Sequence, residues 1–283
     1  MRRSALALAA LLAIVGTGAA SAADMAPRYT KAPPPLPLET PWTGWYVGLN
    51  AGAAINDSSY NLTPSGCFIN AAAPCGGPLT NNPLRSYSAG QHNVDGTAGG
   101  QFGYNYQFSP IWVAGFETDI NWNGTRQTDT VVQPVAAPLA GNFLHSVSTS
   151  LDWFGTVRGR VGFLAAPNLL LYGTGGLAYG QVKSSTAASF TTTADVYAGT
   201  LSDTRVGWTA GAGGEWMASS NWSFKAEYLY VDLGKTNYTN ACTTAVCAAF
   251  VPPPSYNTSV TTREHIVRVG VNYHFNSPVV AKY

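Results

Sequence analysis

The chain has 283 residues, of which only 10% are charged, while 12% are aromatic and 30 residues are glycine. A soluble domain usually carries about a quarter charged residues, and a formal net charge of +1 leaves no electrostatic footprint for nucleic acid. Beyond the N-terminus, no segment is apolar over the roughly 18 residues that a spanning helix needs, so a helical membrane protein is excluded.

The first 22 residues predict a secretory signal peptide. Arg2 and Arg3 supply the basic start, residues 5–15 the apolar core, and residues 20–22 a small-residue motif, so we expect cleavage after Ala22. Loss of those two arginines from the 15 basic residues leaves 13 against 14 acidic residues. The mature chain is therefore exported and close to neutral.

A proline-rich stretch follows the signal peptide at residues 23–42. It contains Pro33, Pro34, Pro35 and Pro37, which favour stiff, extended backbone. We interpret it as a periplasmic linker in front of the folded domain, which we place at residues 43–275, with a C-terminal tail at residues 276–283.

Within the domain, apolar and polar side chains alternate in eight segments, which predicts strands with one apolar face. In all but the fifth, whose glycines leave its register ambiguous, aromatic and aliphatic side chains share the face that a barrel wall turns to lipid. An open sheet would leave unpaired backbone groups in hydrocarbon. We therefore predict an all-β fold, an eight-stranded antiparallel up-and-down transmembrane β-barrel. The predicted strands are Gly44–Ala54, Thr97–Phe108, Ile111–Trp122, Ser150–Phe163, Leu169–Val182, Asp203–Trp216, Asn221–Asp232 and Val267–Phe275.

The connections between these strands alternate between short and long. Short turns are expected at Ser109-Pro110, Ala165–Asn168 and Ala218–Ser220. In such barrels short turns face the periplasm and long loops face outward. The four long outer loops are expected at Ile55–Gly96, Asn123–Thr149, Lys183–Ser202 and Leu233–Thr262.

Four cysteines fall in two close pairs, Cys67 with Cys75 and Cys242 with Cys247. In an exported chain a disulfide is the expected state for each pair. Zinc binding is the alternative, but neither pair has a nearby histidine or Cys-x-x-Cys spacing. Both predicted disulfides lie in outer loops, where a crosslink reduces loop entropy.

The alternation also predicts a charged group that faces the lumen. An eight-stranded barrel is just wide enough inside to be filled by side chains, and buried charges need partners. We expect a polar plug of paired charges, with an ion-conducting gate that exchanges partners as the alternative. The predicted residues are Glu117, Asp119, Asp152, Glu215, Glu227 and Glu264 as acids, with Arg158, Arg160, Arg205, Lys225 and Arg268 as bases.

Several stretches resemble one known family. The sequences Pro27–Ala32, Trp42–Gly52, Trp153–Gly162 and Tyr273–Tyr283 are similar to those of the alphaproteobacterial small outer-membrane surface antigens, often called opacity-type porins. The resemblance implies an eight-stranded barrel like the OmpA transmembrane domain, abundant, surface-exposed and structural. It also implies a terminal aromatic read by the barrel assembly machinery, either Phe275 or Tyr283.

We therefore expect a structural protein of the bacterial outer membrane that displays loops and supports envelope integrity, without a catalytic, cofactor or metal site. The expected partners are outer-membrane lipid and lipopolysaccharide, the assembly machinery, and host or surface ligands of the loops, but no nucleic acid. A narrow diffusion porin is the alternative. A more distant one is an outer-membrane enzyme that uses His145 with Ser146 or Ser148.

Overall fold

The computed structural model describes residues 42–65, 86–135, 141–191, 195–245 and 253–275. Within them the chain forms nine antiparallel strands. The strands are β1 (Gly44–Ser65), β2 (Tyr87–Gln107), β3 (Trp112–Asn123), β4 (Arg126–Val135), β5 (Gly141–Ala166), β6 (Leu169–Phe190), β7 (Val196–Met217), β8 (Trp222–Cys242) and β9 (Ser255–Phe275).

The sheet closes into a barrel with eight positions around its wall. Strand β1 pairs with both β2 and β9, and β3 pairs with β5. Strand β4 continues the path of β3 along the same neighbour, β5. The predicted third strand is thus extended and interrupted at Gly124 and Thr125, which gives nine strands in a wall of eight positions. The predicted all-β antiparallel barrel is confirmed.

The three short turns lie where they were predicted, at one end of the barrel that we call the turn end. They join β2 to β3, β5 to β6 and β7 to β8. The amide of Phe108 donates to the carbonyl of Trp112 at 3.2 Å, and that of Ala218 to Trp222 at 2.9 Å. The opposite end is called the loop end.

A belt of large apolar side chains surrounds the half of the barrel near the turn end, which we call the belt half. The described residues hold no helix with the length and apolarity that a bilayer crossing requires. Soluble proteins rarely expose so large an apolar surface. The belt includes Trp45, Val47, Leu49, Phe102, Phe116, Ile120, Trp122, Val157, Val161, Leu177, Trp208, Trp216, Phe224, Val267 and Val269.

The strands are about twice as long as predicted, and the predicted outer loops are largely strand. Strand β1 has 22 residues, roughly 70 Å of chain, whereas a bilayer crossing needs roughly 9–11 residues. The expected loop 55–96 is strand as far as Ser65 and again from Tyr87, and the other three are shortened in the same way. The part of the barrel beyond the belt is called the loop half.

Apolar side chains point outward in the belt half but inward in the loop half. The prediction of loops was wrong there because it required apolar side chains on the outer face of a strand. On β1, Trp45, Val47 and Leu49 point outward in the belt half. Farther along the same strand, Asn61 points outward while Leu62 is buried inside. Water surrounds the loop half, so its apolar side chains pack inward, as in a soluble protein.

The interior is filled in layers that can be followed along β1. An apolar layer at the turn end (Trp42, Val113, Leu170, Tyr172, Met217) is followed by a charged layer. A second apolar layer lies in the middle (Ala54, Leu151, Phe154, Ala178, Val182, Leu229, Val231, Leu233, Ile266). A polar layer separates it from the last (Asn56, Ser58, Asn123, Thr125, Glu264). The third apolar layer closes the loop half (Tyr60, Leu62, Phe143, Val147, Ala188, Phe190, Tyr197, Tyr256, Val260).

Strands β7 and β8 separate over part of their length, a feature we call the β7–β8 seam. Their ladder runs from Met217 to Trp208, then resumes only at Ala198. Between these points β7 stays paired with β6, and none of its side chains is fully buried. Tyr238 of β8 bonds Ser184 and Thr186 of β6 with its hydroxyl, at 2.9 and 2.6 Å. The wall is thus interrupted between β7 and β8 over this stretch.

The inverted pattern of the loop half predicts a larger loss of stability for a substitution on its inner face than for the same substitution on its outer face. Val147→Ala removes two methyl groups from a side chain with 0% exposure, so we expect a loss of about 2 kcal/mol in the free energy of unfolding. Val132→Ala is the matched control, because Val132 is 54% exposed on the neighbouring strand. Urea titration of the refolded barrel should show a difference, and equal midpoints would contradict the inversion.

Candidate functional site: the charged layer of the lumen

The charged layer of the lumen joins opposite walls of the barrel. Glu117 lies on β3 and Lys225 on β8, which are four positions apart in the ring of eight. The Nζ atom of Lys225 donates to Oε1 of Glu117 at 2.7 Å, and both side chains are almost fully buried. Because this pair spans the full width of the barrel, it divides the bore at that level.

Two arginines extend the network around this pair. Arg158 on β5 contacts Glu117 at 2.5 Å, Asp119 at 2.9 Å and Glu227 at 2.9 Å. Arg268 on β9 contacts Asp119 at 2.9 Å and Glu227 at 2.7 Å. Each guanidinium therefore bridges strands β3 and β8, which holds the circular cross-section by charge-assisted hydrogen bonds.

A smaller group lies between this network and the turn end. The Nη1 atom of Arg160 lies 3.1 Å from Glu215, and Nε2 of His274 lies 3.2 Å from the same carboxylate. The Arg160 guanidinium also sits between two aromatic rings, 4.7 Å from the centre of Tyr46 and 5.0 Å from that of Tyr172. Cation–π contacts of this kind stabilise a buried arginine that has few carboxylates.

Glycines on the neighbouring strands make room for the long arginines. Gly176 pairs with Arg158, and Gly52 pairs with Arg268. A Cβ atom added at Gly176 would lie 2.7 Å from Cα of Arg158, and one at Gly52 would lie 2.6 Å from Cα of Arg268. The nearest atoms are the carbonyl oxygens of Val157 and Val267, each 2.1 Å away, so a side chain at either glycine would clash with the backbone that carries the arginine. These two glycines therefore allow the close approach of the neighbouring strand.

Eight of the eleven predicted charges lie together in this layer. Asp152 is one of the three that do not. Asp152 lies on the outer wall, where its side chain is 31% exposed and bonds Lys183. Strand β5 carries a β-bulge between Leu151 and Phe154, which are both buried inside the barrel. The extra residue shifts the alternation by one position. The prediction was therefore wrong at Asp152.

The prediction was also wrong at Arg205, which lies at the β7–β8 seam. Its side chain is 32% exposed and pairs with Asp203 at 3.3 Å. Its Nη2 atom donates to the carbonyl of Lys235 on β8 at 2.9 Å. Since β7 leaves β8 there, the inward face of β7 opens to solvent, and Arg205 bridges the two separated strands.

Glu264 points into the lumen but lies apart from the charged layer. It belongs to the polar layer nearer the loop end, where the amide of Asn123 donates to both carboxylate oxygens at 3.0 and 2.8 Å. Among the described residues it has no ion pair with a base. The side-chain amide of Asn123, rather than a base, therefore holds this carboxylate.

Several residues of the site were missed by counting charges alone. Tyr46 donates to Glu117 at 2.8 Å, and Thr156 donates to Asp119 at 2.7 Å. The amide of Asn272 donates to Glu215 at 2.7 Å. All three lie on the inward face by the same alternation, so the signal was present. Trp42, which we placed in the linker, is fully buried in the first apolar layer and donates to the carbonyl of Pro167 at 3.1 Å.

The remaining predicted residues are only partly described. Cys242 ends β8 and takes part in a disulfide, while Cys67, Cys75 and Cys247 lie outside the described residues. Phe275 ends β9 on the outer face. Tyr283 and the cleavage position Ala22 also lie outside the described residues. The disulfide pairs, the assembly signal and the cleavage site stay predictions.

The charged layer offers pairing and rigidity rather than bond-making chemistry. Four acids (Glu117, Asp119, Glu215, Glu227) face four bases (Arg158, Arg160, Lys225, Arg268), so its formal charge is balanced. In the part of the chain that the structure describes, no three His, Cys, Asp or Glu side chains are grouped to hold a metal.

The histidine singled out by the sequence lies elsewhere, in the third apolar layer. His145 is buried, and burial lowers its pKa. Neither of its ring nitrogens has a hydrogen-bond partner among the described residues. It faces Tyr87 and Phe143, with ring centroids 4.2 and 5.4 Å away. His145 thus acts as part of an aromatic cluster.

The chain is similar to known outer-membrane proteins. Residues 7–275 match the family of the outer membrane protein beta-barrel domain. The chain is 37% identical, over 95% of its own length and 98% of the relative, to the 31 kDa outer-membrane immunogenic protein of Brucella melitensis. It is also 37% identical, over 50% of its length and 54% of the relative, to the 22 kDa outer membrane protein of Rhizobium leguminosarum. Among solved structures, the outer membrane protein OprG of Pseudomonas aeruginosa covers 83% of this chain and 97% of its own, with 14% identity and a TM-score of 0.43.

The geometry of the charged layer predicts a large cost for breaking it on one side only. Glu117→Gln leaves the buried Lys225 and Arg158 with an excess positive charge, so we expect a loss of about 3–5 kcal/mol in the free energy of unfolding. The paired change Glu117→Gln with Lys225→Met restores neutrality and should cost less than the single change. Asp203→Asn, which removes an exposed pair, should cost under about 1 kcal/mol. A Glu117→Gln barrel as stable as the Asp203→Asn barrel in urea would contradict the network.

Proposed function

Because the chain belongs to the outer membrane protein beta-barrel domain family, we propose that it is a closed structural barrel that displays its loop half at the cell surface. The protein is located in the bacterial outer membrane. The belt half is then the membrane-spanning part, with its apolar face toward lipid. The loop half stands above the membrane as a water-surrounded extension.

The observation that carries the proposal is the filled lumen, in which the ion pair between Glu117 and Lys225 joins opposite walls of the bore at 2.7 Å and apolar layers lie on both sides. A pore at this level would have to break that pair and strand both charges in a region of low dielectric. Apolar layers lie on both sides of it, around Trp42 toward the periplasm and around Phe154 toward the surface. A filled lumen of this kind favours a structural role over solute passage.

A diffusion porin is the second candidate, because the lumen contains a band of charged side chains. Channel interiors often use charged rings of one sign to select ions. Here acids and bases alternate and neutralise each other, so the network supplies no field of one sign. The charge balance supports the closed barrel.

An enzyme is less well supported, because the residues that suggested one lie on opposite faces of β5. His145 points into the barrel, whereas the hydroxyl of Ser146 bonds Thr130 at 3.2 Å and that of Ser148 bonds Thr128 at 3.0 Å, both at the exposed surface. A catalytic set needs its nucleophile and base within hydrogen-bond reach. The relative named above is an outer-membrane immunogenic protein by name, which accords with surface display.

The closed lumen predicts that the refolded protein is electrically silent in planar lipid bilayers. A second recording should use the Glu117→Ala and Lys225→Ala double variant, which removes the cross-lumen pair but keeps both apolar layers. We expect no steady unit conductance from either protein, because each apolar layer excludes water and ions. A reproducible open level in the natural protein would favour the porin instead.

Surface display predicts which end of the barrel reagents outside the cell can reach. Thr63 is exposed in the loop half and Ser219 is exposed in a turn at the turn end. On intact cells, a membrane-impermeant maleimide should label a Thr63→Cys protein and leave a Ser219→Cys protein unlabelled until the outer membrane is permeabilised. The unsubstituted protein gives the background. Labelling of the Ser219→Cys protein on intact cells would reverse the orientation.

A further inference from the structure

The distribution of cations on the outer wall is uneven. Of the nine lysines and arginines within the described residues, four belong to the lumen network and five do not: four of these lie on the outside of the wall and Arg205 lies at the β7–β8 seam. All five lie just beyond the belt on the side of the loop end, and none lies on the outer wall near the turns. The five are Arg126, Lys183, Arg205, Lys235 and Arg263.

With the loop half at the cell surface, these cations stand at the height of the outer leaflet's headgroups. Arg126 follows the outward-facing Trp122 by four residues, and Lys183 follows Tyr179 by four. Four residues of strand span roughly 13 Å, and tryptophan and tyrosine sit at the boundary between acyl chains and headgroups. The cations therefore stand where anionic groups of the outer leaflet are concentrated.

Among these cations Arg126 differs in its surroundings. Lys183, Arg205 and Arg263 each have an aspartate partner, namely Asp152, Asp203 and Asp232. In contrast, the described residues give no ion pair to Arg126 or to Lys235, although both side chains are exposed. Of these two, only Arg126 has the planar fork that binds an oxyanion in bidentate geometry.

A hydroxyl-rich groove lies beside Arg126 on the outer wall. It has a volume of about 390 Å³ and runs from Arg126 on β4 across β5 to Lys183 on β6 and to β7. Serine and threonine hydroxyls line it, namely those of Ser148, Ser185, Thr200 and Ser202. Asp152, which bonds Lys183, is the carboxylate near the groove. The formal charge of the groove, counting Arg126, Lys183 and Asp152, is +1.

We propose that this groove binds the anionic headgroup of lipopolysaccharide in the outer leaflet. Arg126 is the principal cation for the headgroup oxyanion, Lys183 assists it, and the hydroxyls donate to the sugar and phosphate oxygens. Trp122 and Trp153 below the groove contact the upper acyl chains. The proposal goes beyond the closed structural barrel: it rests on the proposed orientation, with the loop half at the cell surface, and is independent of whether the lumen conducts.

The test uses the full refolded protein in a neutral detergent, titrated with bisphosphorylated lipid A and followed by native mass spectrometry. Arg126→Gln should weaken apparent binding by about fivefold to tenfold, since one charge-assisted contact is lost. Arg126→Lys should restore part of the affinity. Asp152→Asn should strengthen binding by about threefold, because it removes the competing carboxylate. Arg263→Gln, at a cation that already has an aspartate, is the matched control and should bind as the natural protein does.

Two further probes decide the identity of the ligand. Dephosphorylated lipid A should bind weakly and respond to neither Arg126→Gln nor Asp152→Asn. Phosphatidylglycerol should bind more weakly than lipid A, because it has no sugar for the hydroxyls. Equal binding of phosphatidylglycerol with equal sensitivity to Arg126→Gln would overturn the assignment to lipopolysaccharide. Equal losses in Arg126→Gln and Arg263→Gln would overturn the groove itself. On unboiled gels each variant should migrate as the natural protein does. This control excludes misfolding as the cause of a loss in binding.

Discussion

Closure of the wall is the constraint on which the rest of the structure depends. In hydrocarbon, each unsatisfied backbone group costs several kcal/mol, and the pairing of β1 with β9, from Trp45 with Phe275 to Ser65 with Ser255, removes the last free edges of the belt half. Once the wall is closed, every side chain of the belt half faces either lipid or a narrow interior. The outward belt and the inward charges are two results of that one division.

The interior solves a problem that closure creates. Polar side chains are driven inward by lipid, yet a barrel of eight positions leaves little room for water. In the network around Arg158 and Arg268, each guanidinium contacts carboxylates from two strands, so these charges have partners without water. Buried ion pairs add little net stability, but contacts that join β3 to β8 specify one cross-section and so one lumen. Specificity of shape is their main contribution.

Alternation along each strand was enough to predict the fold and most of the charged layer. It predicted the face of Glu117 because β3 is regular, and it failed at Asp152 because a β-bulge is not visible in the pattern. It failed for the loop half because the surrounding solvent decides which face carries the apolar side chains. A membrane strand turns them outward, whereas here Asn61 points outward and Leu62 points inward. The pairing of Glu117 with Lys225 depends on the whole ring and cannot be read from either strand alone.

The β7–β8 seam bears on whether neighbouring copies of the barrel associate. Two strand edges with open amide and carbonyl groups are the usual nucleus for sheet-to-sheet aggregation between molecules. Here Asp203 and Arg205 stand on one edge and Lys235 on the other, and charges at such positions repel or sterically block an incoming strand. Asp203, Arg205 and Lys235 therefore lie where charge disfavours strand pairing between neighbouring copies.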